Sequence, residues 1–213
     1  MTVPISQEKQ AELPKEKYTN VSYNKKERFI NYWNQLTEVL RFKPRSVLEI
    51  GVGSKTVYDL LKKSISDVKG LDINKELDPD IVGSVESIPL QDESVDVVLS
   101  AEVLEHLPFS SFGKSLSELY RVTKVGAVIS LPHRGASFSI TMKVPIIPWI
   151  RGVWKIPYFW KIVPLSPEHF WEVGLKGYPL GKIKKEIKKT GFKIRNTFID
   201  PLDLYHLFVI LEK

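Results

Sequence analysis

The amino-acid sequence predicts a doubly wound α/β fold, in which helices cover both faces of a mostly parallel sheet. Three observations predict this class. Short apolar runs with the length of buried strands alternate with amphipathic helical segments. A Gly-rich turn follows the first apolar run. The last two runs are joined by a connection too short for a helical crossover, so they should pair antiparallel.

The elements follow one another in a regular order. Strands are predicted at residues 46–50, 68–72, 80–82, 95–100, 127–131, 192–199 and 205–211. Helices are predicted at residues 24–42, 56–63, 111–122 and 179–190. The first helix is expected to bury one apolar face, formed by Phe29, Ile30, Trp33, Leu36, Val39 and Leu40. The sequence therefore predicts seven strands that alternate with helices over most of the chain.

Composition bounds the class of protein. The 213 residues, 43% of them hydrophobic, suffice for one domain with an insertion and exclude a disordered chain. The absence of cysteine excludes disulfides, Cys-ligated zinc, iron–sulfur clusters and thiol nucleophiles. Residues 1–23 are predicted to form a polar tail before a single domain at 24–213, and they lack the apolar core of a signal peptide. We therefore expect a cytoplasmic protein.

The net charge of +6 is concentrated in one segment, residues 134–165, which interrupts the regular pattern after the fifth strand. This segment has five basic residues, no acidic residue, six aromatic residues and four prolines. Its place after a strand end predicts a cap or lid over the substrate site. Three alternatives stay open: a surface that contacts an anionic membrane, a stacking platform for RNA, and a packed cap or dimer contact. The absence of a recognised RNA module disfavours nucleic acid.

Backbone N–H groups of the turn at Gly51 and Gly53 could receive an anionic group, because the turn leads from a strand into a helix. Thr56 replaces the third glycine of the dinucleotide fingerprint, and Ser54 breaks the P-loop pattern. Asp72 ends the next strand, where a carboxylate can accept both hydroxyls of an adenosine ribose. NAD and S-adenosylmethionine would both use such a residue.

Three segments together resemble the class I S-adenosylmethionine-dependent methyltransferases. They are Leu-Glu-Ile-Gly-Val-Gly at residues 48–53, Gly-Leu-Asp at 70–72, and the run at 84–107 that ends in Glu-Val-Leu-Glu-His-Leu. The resemblance covers residues 46–131 well and 185–213 loosely. It implies a Rossmann-like methyltransferase fold with the last of seven strands antiparallel. It also implies S-adenosylmethionine as cofactor, S-adenosylhomocysteine as product, and a small, amphipathic or lipid-like methyl acceptor.

The resemblance also implies roles for individual residues. Those that would surround the methionine part, the ribose and the adenine of the cofactor are Glu49, Gly51, Gly53, Asp72, Ile73, Ser84 and Val85. Those that would flank the sulfonium and the substrate are Ser100, Ala101 and Glu102. A base is optional in methyl transfer, but an imidazole titrates near neutrality and could take a proton from the acceptor. The candidates are His106, His133 and His169, whereas His206 lies inside the last strand and is interpreted as structural.

The alternatives to this function concern turnover, a metal and the cofactor. The chain could be an accessory protein that binds the cofactor without turnover, or a nicotinamide oxidoreductase. We predict no metal site, although Glu102, Glu105 and His106 resemble the metal-binding pattern of some quinone and small-RNA O-methyltransferases. In that alternative His133 or His169 would add a ligand, and two carboxylates with imidazoles suit Mg²⁺, Mn²⁺ or Fe²⁺.

Overall fold

The computed structural model describes Glu16, Tyr18, Asn20 and residues 23–213. The strands are β1 (Ser46–Ile50), β2 (Asp67–Asp72), β3 (Ile81–Val82), β4 (Val95–Ala101), β5 (Thr123–Pro132), β6 (Gly135–Met142), β7 (Ile150–Pro157), β8 (Lys193–Asp200) and β9 (Asp203–Glu212). The helices are α1 (Lys26–Arg41), α2 (Thr56–Lys62), α3 (Phe109–Val122) and α4 (Leu180–Lys189). Short 3₁₀ turns lie at Lys75–Leu77 and Leu104–His106.

Within the described residues, seven strands form one sheet in the order β3-β2-β1-β4-β5-β9-β8. The pairs β1–β2, β1–β4, β2–β3 and β4–β5 are parallel, whereas β9 is antiparallel to both β5 and β8. This confirms the predicted fold class. The chain moves outward from β1 on one side to β3 and then crosses to β4 on the other side. In sheets of this kind, ligands bind beyond the carboxyl ends of the strands at that point of reversal.

Helices cover both faces of the sheet. Leu116 of α3 and Ile183 of α4 are fully buried on one face, together with the indole of Trp171. Val39 of α1 and Leu61 of α2 are fully buried on the other. All five residues of β1 are buried, because the strand is covered on both sides. The fold is thus held by two apolar layers, with β1 in the centre.

Helix α1 buries only part of the predicted face: Val39 is fully buried, and Leu36 and Leu40 pack against the core. Phe29 and Trp33 are 55% and 64% exposed, whereas Asn31 and Gln35 are buried. Gln35 donates a hydrogen bond to Asn31 Oδ1, and Asn31 Nδ2 lies 3.5 Å from Ser130 Oγ. The prediction was wrong for Phe29 and Trp33 because it assumed that an inward helix face is apolar. Here polar side chains face inward, since their hydrogen bonds are satisfied there.

Residues 134–165 form an insertion that contains a separate two-stranded antiparallel sheet, β6–β7. Its base is tied to the domain: the Lys155 ammonium donates to the Leu204 carbonyl, and Arg134 Nε lies 3.4 Å from Glu172 Oε2. The hairpin was not predicted from the sequence. None of the helices in the described part of the chain combines the length and apolar character needed to cross a membrane.

Candidate functional site

A cavity of about 350 Å³ lies beyond the carboxyl ends of β1, β2 and β4. The sheet register explains its position, because Ile50 pairs with Leu71 on one side and with Ser100 on the other. Gly51, Asp72 and Ala101 follow these residues and all line the cavity. Its volume falls within the range of about 300–1,000 Å³ that is usual for small-molecule sites.

The turn after β1 can be made only by glycine at two positions. Gly51 has φ +79° and its N–H donates to the Leu71 carbonyl at 2.8 Å. A Cβ at Gly51 would lie 2.4 Å from Cγ2 of Val103, and one at Gly53, which has φ +47°, would lie 3.0 Å from the Tyr18 ring. Because neither side chain exists, the backbone of the turn stays close to its neighbours and open to the cavity.

Two buried carboxylates face the cavity beside this turn. Asp72, the last residue of β2, accepts the Asn74 N–H at 2.9 Å through Oδ1. Burial raises the pKa of Asp72, and backbone N–H groups at Asn74 and Gly53 oppose that effect. Glu49 of β1 has one oxygen, Oε2, without a hydrogen-bond partner among the described residues. Burial, with smaller effects of Asp59 and Asp72, raises the pKa of Glu49 to about 8. This part of the cavity suits a ligand that offers cationic or hydroxyl donors.

An ion pair closes the cavity beyond β4. Glu102 has a left-handed backbone with φ +55°, accepts the Ser130 hydroxyl at 3.0 Å, and places Oε2 3.3 Å from His206 Nε2. The Nδ1 of His206 lies 2.6 Å from Asp203 Oδ2. Burial alone would raise the pKa of Glu102, but the attraction of His206 lowers it to about 2. Burial likewise opposes charge on His206, but Glu102 and Asp203 raise its pKa to about 9. Both partners are therefore charged at neutral pH.

Two imidazoles meet at the side of the cavity formed by residues 165–169. Their ring centroids lie 4.9 Å apart and the rings are nearly perpendicular. Nδ1 of His169 is 2.7 Å from Glu172 Oε1, and Nδ1 of His106 is 3.1 Å from the Glu168 carbonyl. With these Nδ1 atoms donating, the lone pair of each ring lies on Nε2. Burial, with the nearby His169, lowers the pKa of His106 to about 4, so that ring is neutral at pH 7.

Glu105 lies beside the two imidazoles and is fully buried. Neither of its oxygens has a hydrogen-bond partner in the part of the chain that the structure describes. Its Oε1 lies 3.9 Å from His169 Nε2, and burial together with the Glu102 charge raises the pKa of Glu105 well above its ordinary value. One ligand atom from each of Glu105, His106 and His169 lies within 4.8 Å of the others. These donors could hold a divalent cation.

The structure brings most of the predicted site residues together. Those that line the cavity are Glu49, Gly51, Gly53, Asp72, Ile73, Ala101, Glu102, His106 and His169. Four others lie outside that lining. Val85 is buried in the apolar core, and Ser84 accepts the Glu86 N–H within its own turn. Ser100 is fully buried between strands. His133 is also buried, and its burial, together with the charge of Lys155, lowers the pKa of His133 to about 4.

Several cavity residues were missed from the sequence. Tyr18 and Tyr23 fall in the segment predicted to be a polar tail, most of which lies outside the described residues, yet both line the cavity. The Arg28 guanidinium lies 4.3 Å from the centroid of the Tyr23 ring. Glu172 is also important, because its Oε1 accepts the Tyr205 hydroxyl at 3.0 Å as well as His169 Nδ1. Its spacing of three residues from His169 was the signal available in the sequence.

Comparison with known proteins finds a methyltransferase domain in part of the chain. Residues 48–131 match a family described as a methyltransferase domain. This part of the chain is similar to the class I S-adenosylmethionine-dependent methyltransferases, as the sequence motifs indicated. A probable S-adenosylmethionine-dependent methyltransferase of Mycolicibacterium smegmatis is 32% identical over 137 residues, which are 56% of this chain and 52% of that protein. The chain thus spans about half the length of this relative.

Two solved structures of methyltransferases share the fold. A methyltransferase of Aquifex aeolicus has a TM-score of 0.57 at 16% identity, over 94% of this chain and 99% of that one. The 1,6-didemethyltoxoflavin-N1-methyltransferase of Burkholderia thailandensis, solved with its substrate and S-adenosylhomocysteine, has a TM-score of 0.63 at 10% identity, over 93% and 84% of the two chains. S-Adenosylmethionine is the cofactor of this methyltransferase family.

The first prediction concerns Asp72. Replacing it with asparagine removes a charged acceptor from the cavity, and such hydrogen bonds contribute about 1.5–3 kcal/mol. Asp72→Asn should therefore weaken binding of S-adenosylhomocysteine by at least about tenfold in calorimetric titration. Asp67→Asn, at the exposed opposite end of the same strand, is the matched control and should bind as the wild type. Equal affinity of the two variants would contradict this role.

The second prediction concerns the ion pair of Glu102 and His206. The folded pKa of His206, about 9, exceeds its ordinary value of 6.5, so its contribution to stability is present below about pH 6.5 and is lost as pH rises through 9. The folded pKa of Glu102, about 2, lies below its ordinary 4.5, so its contribution is lost only as pH falls towards 2. Urea unfolding should show that His206→Gln costs more stability near pH 6 than near pH 10. A cost independent of pH would be inconsistent with a charged His206.

Proposed function

We propose that this protein transfers a methyl group from S-adenosylmethionine to a small or amphipathic acceptor. One observation carries the proposal: a single cavity is bounded on one side by the Gly51 turn with Asp72 and on another by the Glu102, His106 and His169 side chains. A cofactor site and a set of proton-accepting groups therefore share one enclosed space. The cytoplasmic location expected from the sequence stays a prediction.

The residues beside the turn fit the cofactor. Asp72 offers a buried carboxylate to the ribose hydroxyls, and Glu49 has an unpartnered oxygen, among the described residues, for the ammonium of the methionine part. Gly51 and Gly53 leave space where any Cβ would collide with Val103 or Tyr18. Ile73 supplies an apolar surface for the adenine. When bound, S-adenosylmethionine supplies a methyl group on a sulfonium, which the lone pair of an acceptor displaces in line.

The residues on the opposite side can bind the acceptor and take its proton. Glu172 holds His169 through Nδ1, so that Nε2 is the basic atom and faces the buried Glu105. His106 is neutral and offers a second lone pair at the cavity wall. The charged Glu102 and His206 pair keeps Glu102 from competing for the same proton, because its pKa is about 2. We assign to His169 the role of proton acceptor for a hydroxyl or amine.

The third prediction tests turnover and this assignment together. The wild-type protein is incubated with S-adenosylmethionine and a panel of small and amphipathic hydroxyl and amine compounds. It should release S-adenosylhomocysteine together with a product that is ~14 mass units heavier than the acceptor, the mass of the CH₂ group that methylation adds. His169→Asn should lower kcat roughly a hundredfold or more, because it removes a positioned base. His133→Asn serves as the matched comparison, since His133 does not line the cavity.

The outcomes separate the enzyme from its alternatives. Tight binding of S-adenosylhomocysteine without turnover of any acceptor would favour an accessory protein that binds the cofactor. Binding of NAD in its place would support an oxidoreductase. Equal kcat in His169→Asn and the wild type would remove His169 from the chemistry while leaving methyl transfer intact.

A second candidate function, metal-assisted methyl transfer to a hydroxyl, is favoured by the cluster of Glu105, His106 and His169. Both imidazoles use Nδ1 for a protein acceptor, the arrangement in which Nε2 is directed to a metal. The buried and unpartnered oxygens of Glu105, as judged over the described residues, would gain a counter-charge. A bound cation could orient the acceptor oxygen and lower its pKa.

The fourth prediction decides between the two forms of the mechanism. If a metal is used, Mn²⁺ should bind to the wild type in calorimetric titration, and Glu105→Gln and His169→Asn should each weaken this binding at least about tenfold. Glu76→Gln, at an exposed carboxylate, is the control and should not. Absence of Mn²⁺ binding, with activity unchanged by EDTA, would rule out the metal-assisted form.

A further inference from the structure

The hairpin β6–β7 presents an entirely apolar face to solvent. Directly paired residues of an antiparallel ladder lie on the same face, and every second pair shares it. The pairs on this face are Ala136 with Ile156, Phe138 with Trp154, Ile140 with Gly152, and Met142 with Ile150. Phe138, Trp154 and Ile156 are 65%, 58% and 63% exposed. We call these eight residues the apolar face.

The hairpin is oriented opposite to the usual arrangement, in which the apolar side faces the core. Its other face carries the polar and charged pairs Ser137 with Lys155 and Thr141 with Arg151. Lys155 on that face is half-buried and its ammonium donates to the Leu204 carbonyl of the main domain. The polar face is therefore held against the main domain at Lys155. Over the described part of the chain, no element packs on the apolar face.

The apolar surface continues beyond the hairpin. At its tip Ile146 is fully exposed, and Trp149 follows with Arg151 at 5.8 Å and Lys143 at 6.0 Å from its ring centroid. After the hairpin come the exposed Phe159, Trp160, Ile162, Val163 and Leu165. So many exposed large apolar residues in one segment indicate a contact with a partner or a membrane.

The charge of the segment selects the partner. Residues 134–165 carry five basic residues and no acidic residue. Lys143 and Arg151 flank Trp149 at the hairpin tip, so a two-fold dimer through this tip would bring the cations of the two copies together, which is unfavourable. Anionic headgroups would attract these cations, and tryptophan with basic residues is the composition found at membrane interfaces.

We propose that the apolar face and the basic residues around it bind the surface of an anionic lipid bilayer. The proposal stands on the hairpin and does not require methyl transfer. It also deepens the proposed function, because Leu165, the last residue of the insertion, and Ser166 line the cavity. Docking would bring the cavity rim to the headgroup region, where an amphipathic acceptor could enter from the membrane.

The fifth prediction is a vesicle co-sedimentation experiment. The full chain should sediment with vesicles of phosphatidylcholine containing about one third phosphatidylglycerol, and more than about tenfold less with phosphatidylcholine alone. The double variant Phe138→Ser/Trp154→Ser should lose binding through lost apolar contact. Lys143→Glu/Arg151→Glu should weaken binding by more than about tenfold, and about 0.5 M NaCl should weaken wild-type binding.

Val82→Ser/Val125→Ser is the matched control, since both valines are exposed on strands of the main sheet. It should sediment as the wild type does. All variants should keep wild-type affinity for S-adenosylhomocysteine. This would show that they are folded and that any loss of vesicle binding comes from the altered surface. Equal binding to neutral and anionic vesicles, no binding to either, or wild-type binding by Phe138→Ser/Trp154→Ser would overturn the proposal. The proposal would also be overturned if the wild type did not bind vesicles but self-associated, and the double variant Phe138→Ser/Trp154→Ser did not self-associate.

Discussion

Parallel pairing of β1 with β2 on one side and β4 on the other is the constraint on which the site depends. The pairs Ile50–Leu71 and Ile50–Ser100 bring three strand ends to one edge of the sheet. The Gly51 N–H then bonds the Leu71 carbonyl, so the turn is joined to the end of β2. Because Val103 packs where a Cβ of Gly51 would lie, the segment after β4 closes against the same turn. The residues proposed to face the cofactor and those proposed to face the acceptor therefore meet in one cavity.

The cavity and the His106–His169 cluster at its wall gather more buried carboxylates than a core would tolerate without compensation. Glu102 is charged because His206 and Arg28 offset its burial. Glu49 and Glu105 have no such partner in the described chain, and their pKa values are raised. Burial therefore raises the pKa values of Glu49, Asp72 and Glu105, whereas Glu102 stays ionised. Such separation of pKa values within one cavity is typical of functional sites.

Much of the fold could be predicted because the buried strands appear as short apolar runs and the helices follow a period of 3.6 residues. The site was predictable where it is local in sequence, as at Gly51 and Asp72. The prediction of the site failed where the contacts are long-range. His206 reaches Glu102 only because β9 pairs with β5, which places His206 opposite Pro132. Asn31 and Gln35 face inward although they are polar, because Gln35 is hydrogen-bonded to Asn31, and Asn31 to Ser130. The alternation in β6 and β7 was obscured by prolines and by a dense mixture of aromatic and basic residues.

The most direct test of the central claim, that β1, β2 and β4 place a cofactor site at one edge of the sheet, is a crystal structure with S-adenosylhomocysteine. The account predicts density for the ligand in the cavity, with its ribose hydroxyls on Asp72 and its amino-acid end beside Gly51 and Glu49. Clear ligand density elsewhere on the chain, with this cavity holding only solvent, would contradict it.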